Sequence, residues 1–152
     1  GVKCVLIGGP QDRKTVAQFQ QSLSDPARVI NLAGKTSLLE LVALMQSSNL
    51  YFGNDSGPLH FAICARLPVL ALFGPASPAV YGPPATPDNT VLFRGEACGP
   101  CLNVYTDKHS RCQDNICLSR ITPDHVQVAL ETRYLPAAEK SGRPVLETIT
   151  GS

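Results

Sequence analysis

Residues 53–60 form the segment of this sequence best suited to bind an anion. They read Gly53-Asn54-Asp55-Ser56-Gly57-Pro58-Leu59-His60. Asp55 and Ser56 are residue types that cap helices, and the proline that follows favours the first helical turn. A helix that begins here directs free N–H groups at a ligand, with His60 on its first turn facing the same mouth. We therefore predict that Asp55, Ser56, Gly57 and His60 bind an anionic ligand; helix capping without a ligand is the alternative for the first two.

Two more glycine-containing loops, residues 8–12 and 34–37, follow apolar runs in the same way. Parallel α/β sheets bind ligands at the carboxyl ends of their strands, so both loops are candidates for the same site. Gln11 or Asp12 would bind ribose hydroxyls there, by analogy with the acidic residues of other nucleotide-binding folds. Lys35 is a candidate for a phosphate group, and an ordinary surface lysine is an equal alternative.

Three more specific nucleotide-binding or catalytic motifs are incomplete or absent in this sequence. Gly34-Lys35-Thr36 copies the end of a P-loop, but Val29 stands where that motif requires a glycine. Asn54 stands two residues before Ser56, where a nucleophile elbow requires glycine. No Gly-x-Gly-x-x-Gly sequence occurs. The sequence therefore gives no support to a Walker-type ATPase, a serine hydrolase or a dinucleotide-dependent dehydrogenase.

A second group of reactive side chains consists of four cysteines within residues 98–117. Their spacings of three and five residues suit a tetrahedral structural zinc site, for which His109 is a substitute ligand. Reduced thiols or disulfide bonds are the alternatives. The other two cysteines lie in apolar runs and are predicted to be core residues. The four are Cys98, Cys101, Cys112 and Cys117, and the two are Cys4 and Cys64.

The elements that position these residues alternate along the chain. Short apolar runs predict strands, and apolar residues at helical spacing predict helices between them. Ser37 and Glu40 form a capping box at the start of the second helix. The alternation predicts an α/β fold with a Rossmann-like parallel sheet and helices on both faces. The strands are predicted over residues 2–7, 28–32, 50–52 and 69–73, and the helices over 11–23, 37–47, 59–66 and 122–134.

Length and composition limit the classes of protein. The chain has 152 residues, 43% of them hydrophobic, which suits one globular domain. The formal net charge is +1, from 13 basic and 12 acidic residues, so nucleic acid is not an expected partner. No apolar stretch is long enough for a spanning helix or a signal peptide, and we expect a soluble intracellular chain. We assign residues 1–134 to one domain and 135–152 to a C-terminal tail.

Four motifs, in this order, resemble those of glycosyltransferase family 9, the bacterial heptosyltransferases that extend the lipopolysaccharide inner core from ADP-heptose. The resemblance covers roughly residues 2–130. It implies a GT-B fold, in which two Rossmann-like domains enclose the active site, and it identifies this chain as the C-terminal, nucleotide-sugar-binding domain. The motifs are residues 31–41, 53–60, 71–75 and 81–83, and the opening 6–12 fits the same pattern.

By this resemblance, Asp55, Ser56, Gly57 and His60 line the diphosphate and sugar of the donor. The family often has threonine at the position of Ser56 and tryptophan at that of Tyr81, and we expect Tyr81 to pack in its loop rather than stack on the base. The reaction is an inverting displacement in which the donor domain stabilises charge on the departing diphosphate. The catalytic base is an aspartate of the N-terminal domain, so this chain holds no catalytic residue and should be inactive alone.

The resemblance also implies partners and a location. The donor is a nucleotide sugar, with ADP-heptose expected, and the acceptor is a lipid-linked saccharide bound by the N-terminal domain. The chemistry requires no cofactor, and a zinc ion would be structural only. The enzyme would be cytoplasmic, peripheral to the inner membrane. The tail would cross to the other domain and be mobile without it. Alternatives are a non-catalytic nucleotide-sugar-binding module and a glycosyltransferase with another donor.

Overall fold

The protein is a six-stranded, fully parallel α/β structure. The structure is a computed structural model, and it describes residues 2–103, 105, 109–110, 112–135 and, for the backbone alone, 146–150. The strands lie in the order β2-β1-β6-β3-β4-β5, and every pair of neighbours is parallel. The predicted fold class is confirmed. The strands are β1 (Lys3–Ile7), β2 (Val29–Asn31), β3 (Tyr51–Asn54), β4 (Val69–Phe73), β5 (Asn89–Phe93) and β6 (Leu146–Thr150).

The helices follow the predicted alternation with shifted ends. The third helix begins two residues before its predicted start, and the last predicted helix continues into a π-helical turn over Leu130–Tyr134. A short helix in the cysteine segment was not predicted. Pro10–Asp12 and Pro26–Arg28 are 3-10 turns that precede α1 and β2. The helices are α1 (Arg13–Ser22), α2 (Leu38–Gln46), α3 (Gly57–Cys64), α4 (Pro78–Tyr81), α5 (Ile116–Ser119) and α6 (Pro123–Ala129).

Side chains from the two faces of the sheet enter separate apolar clusters. On one face, α2 and α3 cover β1, β3 and β4, and the largest buried side chains are Tyr51 and Phe73. On the other face, Val16 of α1 packs on Leu6, and α6 packs on Leu70 of β4. Covering both faces is what a parallel sheet requires, and it explains the nearly unbroken apolar runs of β1 and β4.

The capping box predicted for α2 is confirmed. The backbone N–H of Ser37 donates to the Glu40 carboxylate (2.7 Å), and so does the Ser37 hydroxyl (2.8 Å). These two hydrogen bonds hold the pKa of Glu40 below its ordinary value. The stabilisation they give is present above the ordinary pKa of a glutamate and is lost as the pH falls through the lowered one.

Two expectations are wrong. Residues 146–150 were assigned to a tail without a partner in this domain, but β6 pairs with β1 over five residues and with β3 through Phe52 and Ile149. Three of the five residues in the segment Leu-Glu-Thr-Ile-Thr are β-branched, which favours a strand. Cys64, predicted in the core, is exposed at the end of α3.

A search of the described residues for a membrane-spanning helix gave no candidate of sufficient length and apolar character.

Tyr134 joins the end of the π-helical turn to the sheet. Its hydroxyl donates to the Val69 carbonyl (2.8 Å) and lies 2.8 Å from the hydroxyl of Thr90, a buried polar residue of β5. Arg133 also donates to Thr90 (3.0 Å). Burial raises the pKa of Tyr134. The hydroxyl therefore satisfies polar groups that water reaches poorly.

We expect Tyr134→Phe to lower the free energy of unfolding by about 1–2 kcal/mol, because it leaves buried polar groups with one partner fewer. Urea unfolding measures the change. Tyr105→Phe is the matched control, because Tyr105 is 94% exposed, and its effect should stay within about 0.5 kcal/mol. Equal stability of the two variants would contradict a stabilising role for the Tyr134 hydroxyl.

Candidate functional site

A cavity of about 310 Å³ opens at the N-terminus of α3. It brings together Asp55, Ser56, Gly57 and His60, four of the six residues predicted to bind a donor. Three more residues complete its wall from later parts of the chain. They are Ala76, which follows β4, Tyr81 of α4 and Leu102 of the cysteine segment.

The sheet holds Asp55 and Ser56 at the mouth of this cavity. β3 ends at Asn54, and the backbone N–H of Asp55 donates to the Leu72 carbonyl of β4 (3.1 Å), one residue beyond the strand. Ser56 is extended (φ −151°, ψ 170°), and α3 begins at the next residue. The two side chains are therefore presented by backbone that is fixed against the central strands.

Ser56 occupies the N-cap position of α3 without capping it. Its hydroxyl donates to the Asn54 carbonyl (3.3 Å), and among the described residues no side-chain hydrogen bond from Ser56 closes this end of α3. The capping alternative is therefore wrong for Ser56. Backbone N–H groups in the first turn of a helix need partners from outside the helix. An anion in the cavity would supply them and would also be favoured by the helix dipole.

Gly57 faces open space at the same place. A methyl group placed on its Cα would meet no described atom within 4 Å, and the residue has no positive φ. Neither backbone conformation nor packing therefore requires glycine here, although glycine costs about 0.5–1 kcal/mol relative to alanine in a helix. The absence of a side chain keeps the approach to the helix terminus open.

His60 and Tyr81 lie on two sides of the cavity. His60 is exposed on the first turn of α3. Tyr81 is half-buried, and it both lines the cavity and packs against the main apolar cluster. The predicted packing role of Tyr81 is confirmed. The sequence did not predict that Tyr81 also lines the cavity.

Asp12 and Lys35 do not line the cavity. The Asp12 carboxylate accepts from the Gly9 N–H (2.7 Å) and from the Gln11 amide (3.4 Å), and the Lys35 ammonium donates to the Asn31 carbonyl (2.9 Å). Their loops follow β1 and β2, which stand two and three strands from β3. At a strand spacing of about 4.8 Å, these separations are roughly 10 and 14 Å. The sequence predicted that these loops share one edge of the sheet with the α3 cavity, but it did not predict how far along that edge they lie from it.

The wall at Ala76 and Leu102 was missed by the sequence analysis. These two residues form an isolated parallel bridge. The N–H groups of Cys101 and Leu102 both donate to the Pro75 carbonyl, at 2.9 and 3.0 Å. Sequence periodicity does not predict such a contact, because the contact joins two irregular segments.

The four clustered cysteines line a second cavity, of about 210 Å³, next to the first. None of the six cysteines, all of them in the described part of the chain, forms a disulfide bond. Burial raises the pKa of the Cys117 thiol, and the nearby thiols Cys101 and Cys112 add to the shift. Across the described residues, no three His, Cys, Asp or Glu side chains are close enough together to hold a metal ion. The predicted substitute ligand, His109, does not line this cavity.

Comparison with known proteins gives the family. The model of glycosyltransferase family 9 (heptosyltransferase) matches residues 1–110. The chain belongs to glycosyltransferase family 9. The match includes every residue of the α3 cavity, from Asp55 to Leu102, and it ends before Cys112 and Cys117.

Relatives of the family 9 chain are longer than the chain itself. Lipooligosaccharide heptosyltransferase 2 of Haemophilus influenzae is 37% identical over 100 residues, which are 63% of this chain and 29% of that protein. Lipopolysaccharide heptosyltransferase 2 of Escherichia coli K12 is 35% identical over 80 residues, or 51% and 23% of the two chains. The family 9 chain thus spans less than a third of the length of these relatives.

Two solved structures share the fold of the family 9 chain. The E. coli ADP-heptose LPS heptosyltransferase II superposes with a TM-score of 0.69 at 28% identity, over 90% of this chain and 38% of that one. The family 9 glycosyl transferase of Veillonella parvula gives 0.71 at 31% identity, over 88% and 37%. Both likenesses support the α/β fold and the assignment to family 9.

Replacement by alanine should affect the free energy of unfolding differently at two glycines of the family 9 chain. A methyl group at Gly82 would overlap the Pro78 carbonyl oxygen, so α4 must shift. We expect Gly82→Ala to cost about 1–3 kcal/mol of unfolding free energy. Gly57→Ala should leave it unchanged or raise it by up to about 1 kcal/mol. Urea unfolding of both variants measures this, and a loss at Gly57 as large as that at Gly82 would contradict the open cavity.

Proposed function

We propose that this chain is the donor-binding part of an inverting heptosyltransferase that uses ADP-heptose to extend the inner core of lipopolysaccharide. The observation that carries the proposal is the cavity at the start of α3, where the Ser56 side chain makes no capping hydrogen bond and Gly57 leaves the approach open. The names of the relatives supply the class of donor and acceptor.

The diphosphate of the donor binds at the start of α3 in this proposal. When the bond from the anomeric carbon to the diphosphate breaks, negative charge grows on the departing oxygen. Fixed N–H groups and the positive end of a helix dipole stabilise such charge without reorganisation. His60 adds a hydrogen-bond donor, and a positive charge when it carries a proton.

Asp55 has a different partner from His60. A carboxylate repels a diphosphate, whereas its oxygens accept hydrogen bonds from sugar hydroxyls. We assign the side chain of Asp55 to the sugar for this reason. Ser56 stands between Asp55 and the start of α3, and we assign its hydroxyl to the sugar or the diphosphate.

The α3 cavity accommodates part of a nucleotide sugar and leaves the rest for another domain. Its volume of about 310 Å³ lies at the lower end of the range for small-molecule sites. The catalytic base and the site for the lipid-linked saccharide belong, in this proposal, to an N-terminal domain. The reaction takes place at the cytoplasmic side of the inner membrane, and its chemistry requires no cofactor.

We expect His60→Ala to weaken ADP binding by roughly 10- to 100-fold, the effect of losing one charge-assisted hydrogen bond. Calorimetric titration of ADP into the purified chain measures the affinity. Lys35→Ala is the matched control, because its ammonium is bound to the Asn31 carbonyl in a loop three strands away. Loss of affinity in Lys35→Ala with normal affinity in His60→Ala would move the site to the first loops.

The choice of nucleotide separates the proposed donor from other nucleotide sugars. We expect ADP and ADP-heptose to bind more tightly than UDP and GDP in the same titration. If UDP or GDP bound more tightly, the proposed glycosyltransferase class would stand, but the donor would be a UDP- or GDP-sugar instead of ADP-heptose.

The 152-residue chain alone should transfer no sugar, because the proposed base and acceptor site lie outside it. Incubation with ADP-heptose and a lipid-linked acceptor, followed by measurement of released ADP, tests this. Transfer above a buffer control would show that the chain holds a catalytic base of its own.

A further inference from the structure

We propose that Cys98, Cys101, Cys112 and Cys117 bind one Zn²⁺ ion, and that this ion fixes the Leu102 wall of the α3 cavity. The first half of the proposal, metal binding, depends only on the cavity that the four cysteines line, which we call the cysteine cavity. The second half, the effect on the Leu102 wall, rests on the proposed donor site. The ion would be structural and would take no part in sugar transfer.

The number of thiols at this cavity suits tetrahedral zinc. All four line one cavity of about 210 Å³, and the remaining two cysteines of the chain, Cys4 and Cys64, lie outside it. Four thiolates are a complete ligand set for a structural zinc ion. Three of the four cysteines lie in irregular backbone, and the fold nevertheless brings all four to one cavity.

Polar neighbours of the thiols suit thiolate ligands. The hydroxyl of Ser110 donates to Cys101 Sγ (3.3 Å), and the backbone N–H of Asn115 donates to Cys112 Sγ (3.4 Å). Donors to the sulfur atoms orient zinc-bound thiolates and stabilise their charge. The thiol of Cys117 donates to Asn115 Oδ1 (3.6 Å), a bond that metal binding would replace.

The carboxylate at this cavity has a partner of its own. Glu96 lines the cavity, and its carboxylate pairs with Arg120 at 2.7 Å. This ion pair occupies the Oε2 atom of Glu96, and the four thiols complete a ligand set without it. A site made of sulfur alone selects zinc over magnesium and calcium, which prefer oxygen ligands.

Two of the thiols are anchored and two can close on an ion. Cys117 is buried on α5, and the backbone of Cys101 is bound to the Pro75 carbonyl. Cys98 and Cys112 are exposed in segments without helix or strand. The thiols surround the cavity without converging on one point, so binding must draw these two inward. Zinc binding that orders its own ligands is usual, and it releases the thiol protons to solvent.

The cysteine cavity and the α3 cavity share a wall. Gly74, Pro75 and Cys101 line the first, and the next residues in each segment, Ala76 and Leu102, line the second. The Pro75 carbonyl binds the N–H groups of both Cys101 and Leu102. An ion that fixes Cys101 therefore fixes the residue beside it, which faces the proposed donor.

Titration with Co²⁺ under reducing conditions tests the metal site in the full 152-residue chain. We expect one equivalent of Co²⁺ to give the charge-transfer and d–d absorption of a tetrahedral thiolate complex, and one equivalent of Zn²⁺ to abolish it. Cys101→Ser and Cys98→Ser should lose or shift this spectrum. Cys64→Ser is the control, because this exposed thiol lies outside the cavity, and it should leave the spectrum unchanged.

Three outcomes would overturn the metal site. They are the absence of a thiolate–cobalt spectrum in the wild-type chain, an unchanged spectrum in Cys101→Ser and Cys98→Ser, and two disulfide bonds among the four cysteines in the chain isolated without reductant. Cys98 is exposed, so its serine variant should retain the fold, and circular dichroism checks that it does.

The second half is tested by titration of ADP into zinc-loaded and chelator-treated protein. We expect removal of zinc to weaken ADP binding at least roughly fivefold, the lower range of coupling between sites. Equal affinity in the two forms would overturn control of the Leu102 wall. If neither form binds ADP, the proposed function and this second half fail together, while the cobalt spectra still decide the metal site.

Discussion

Burial of β4 on both faces is the constraint on which the rest of the structure depends. Val69, Leu70, Ala71 and Phe73 have no exposed surface, and their side chains enter the clusters on the two faces of the sheet. A strand without access to water must pair both of its edges, which β3 and β5 do. The direction in which the chain leaves β4 is thereby fixed. Residues 74–76 emerge beside the start of α3, and both cavities are built around this exit.

Strands β1 to β4 and the contiguous part of the site could be predicted because their signals are local. The buried strands are nearly unbroken apolar runs, and the cap of α2 is encoded by Ser37 and Glu40 alone. Asp55 and His60 lie within six residues of each other, so one strand end and one helical turn bring them together. Local propensity and the position of a turn suffice for such a cluster.

Features that depend on distant pairing could not be predicted in the same way. The sequence shows that several loops share the carboxyl edge of a sheet, but it does not give the order of the strands. The position of β6 between β1 and β3 separates Asp12 from the α3 cavity. Leu102 reaches that cavity through backbone hydrogen bonds to Pro75, and such bonds carry no side-chain signature. For short strands and loops, the tertiary environment outweighs intrinsic preference.

The carbonyl of Pro75 has a consequence for how the two cavities communicate. It accepts from Cys101 and Leu102 at once, and under the proposed coupling a change at Cys101 therefore also alters the position of Leu102. Free-energy coupling between two sites is reciprocal. Whatever the state of the thiols does to a ligand at α3, that ligand does to the thiols by the same factor. The reactivity of Cys98 and Cys101 toward an alkylating reagent would then serve as a reporter of occupancy at a cavity that neither thiol lines.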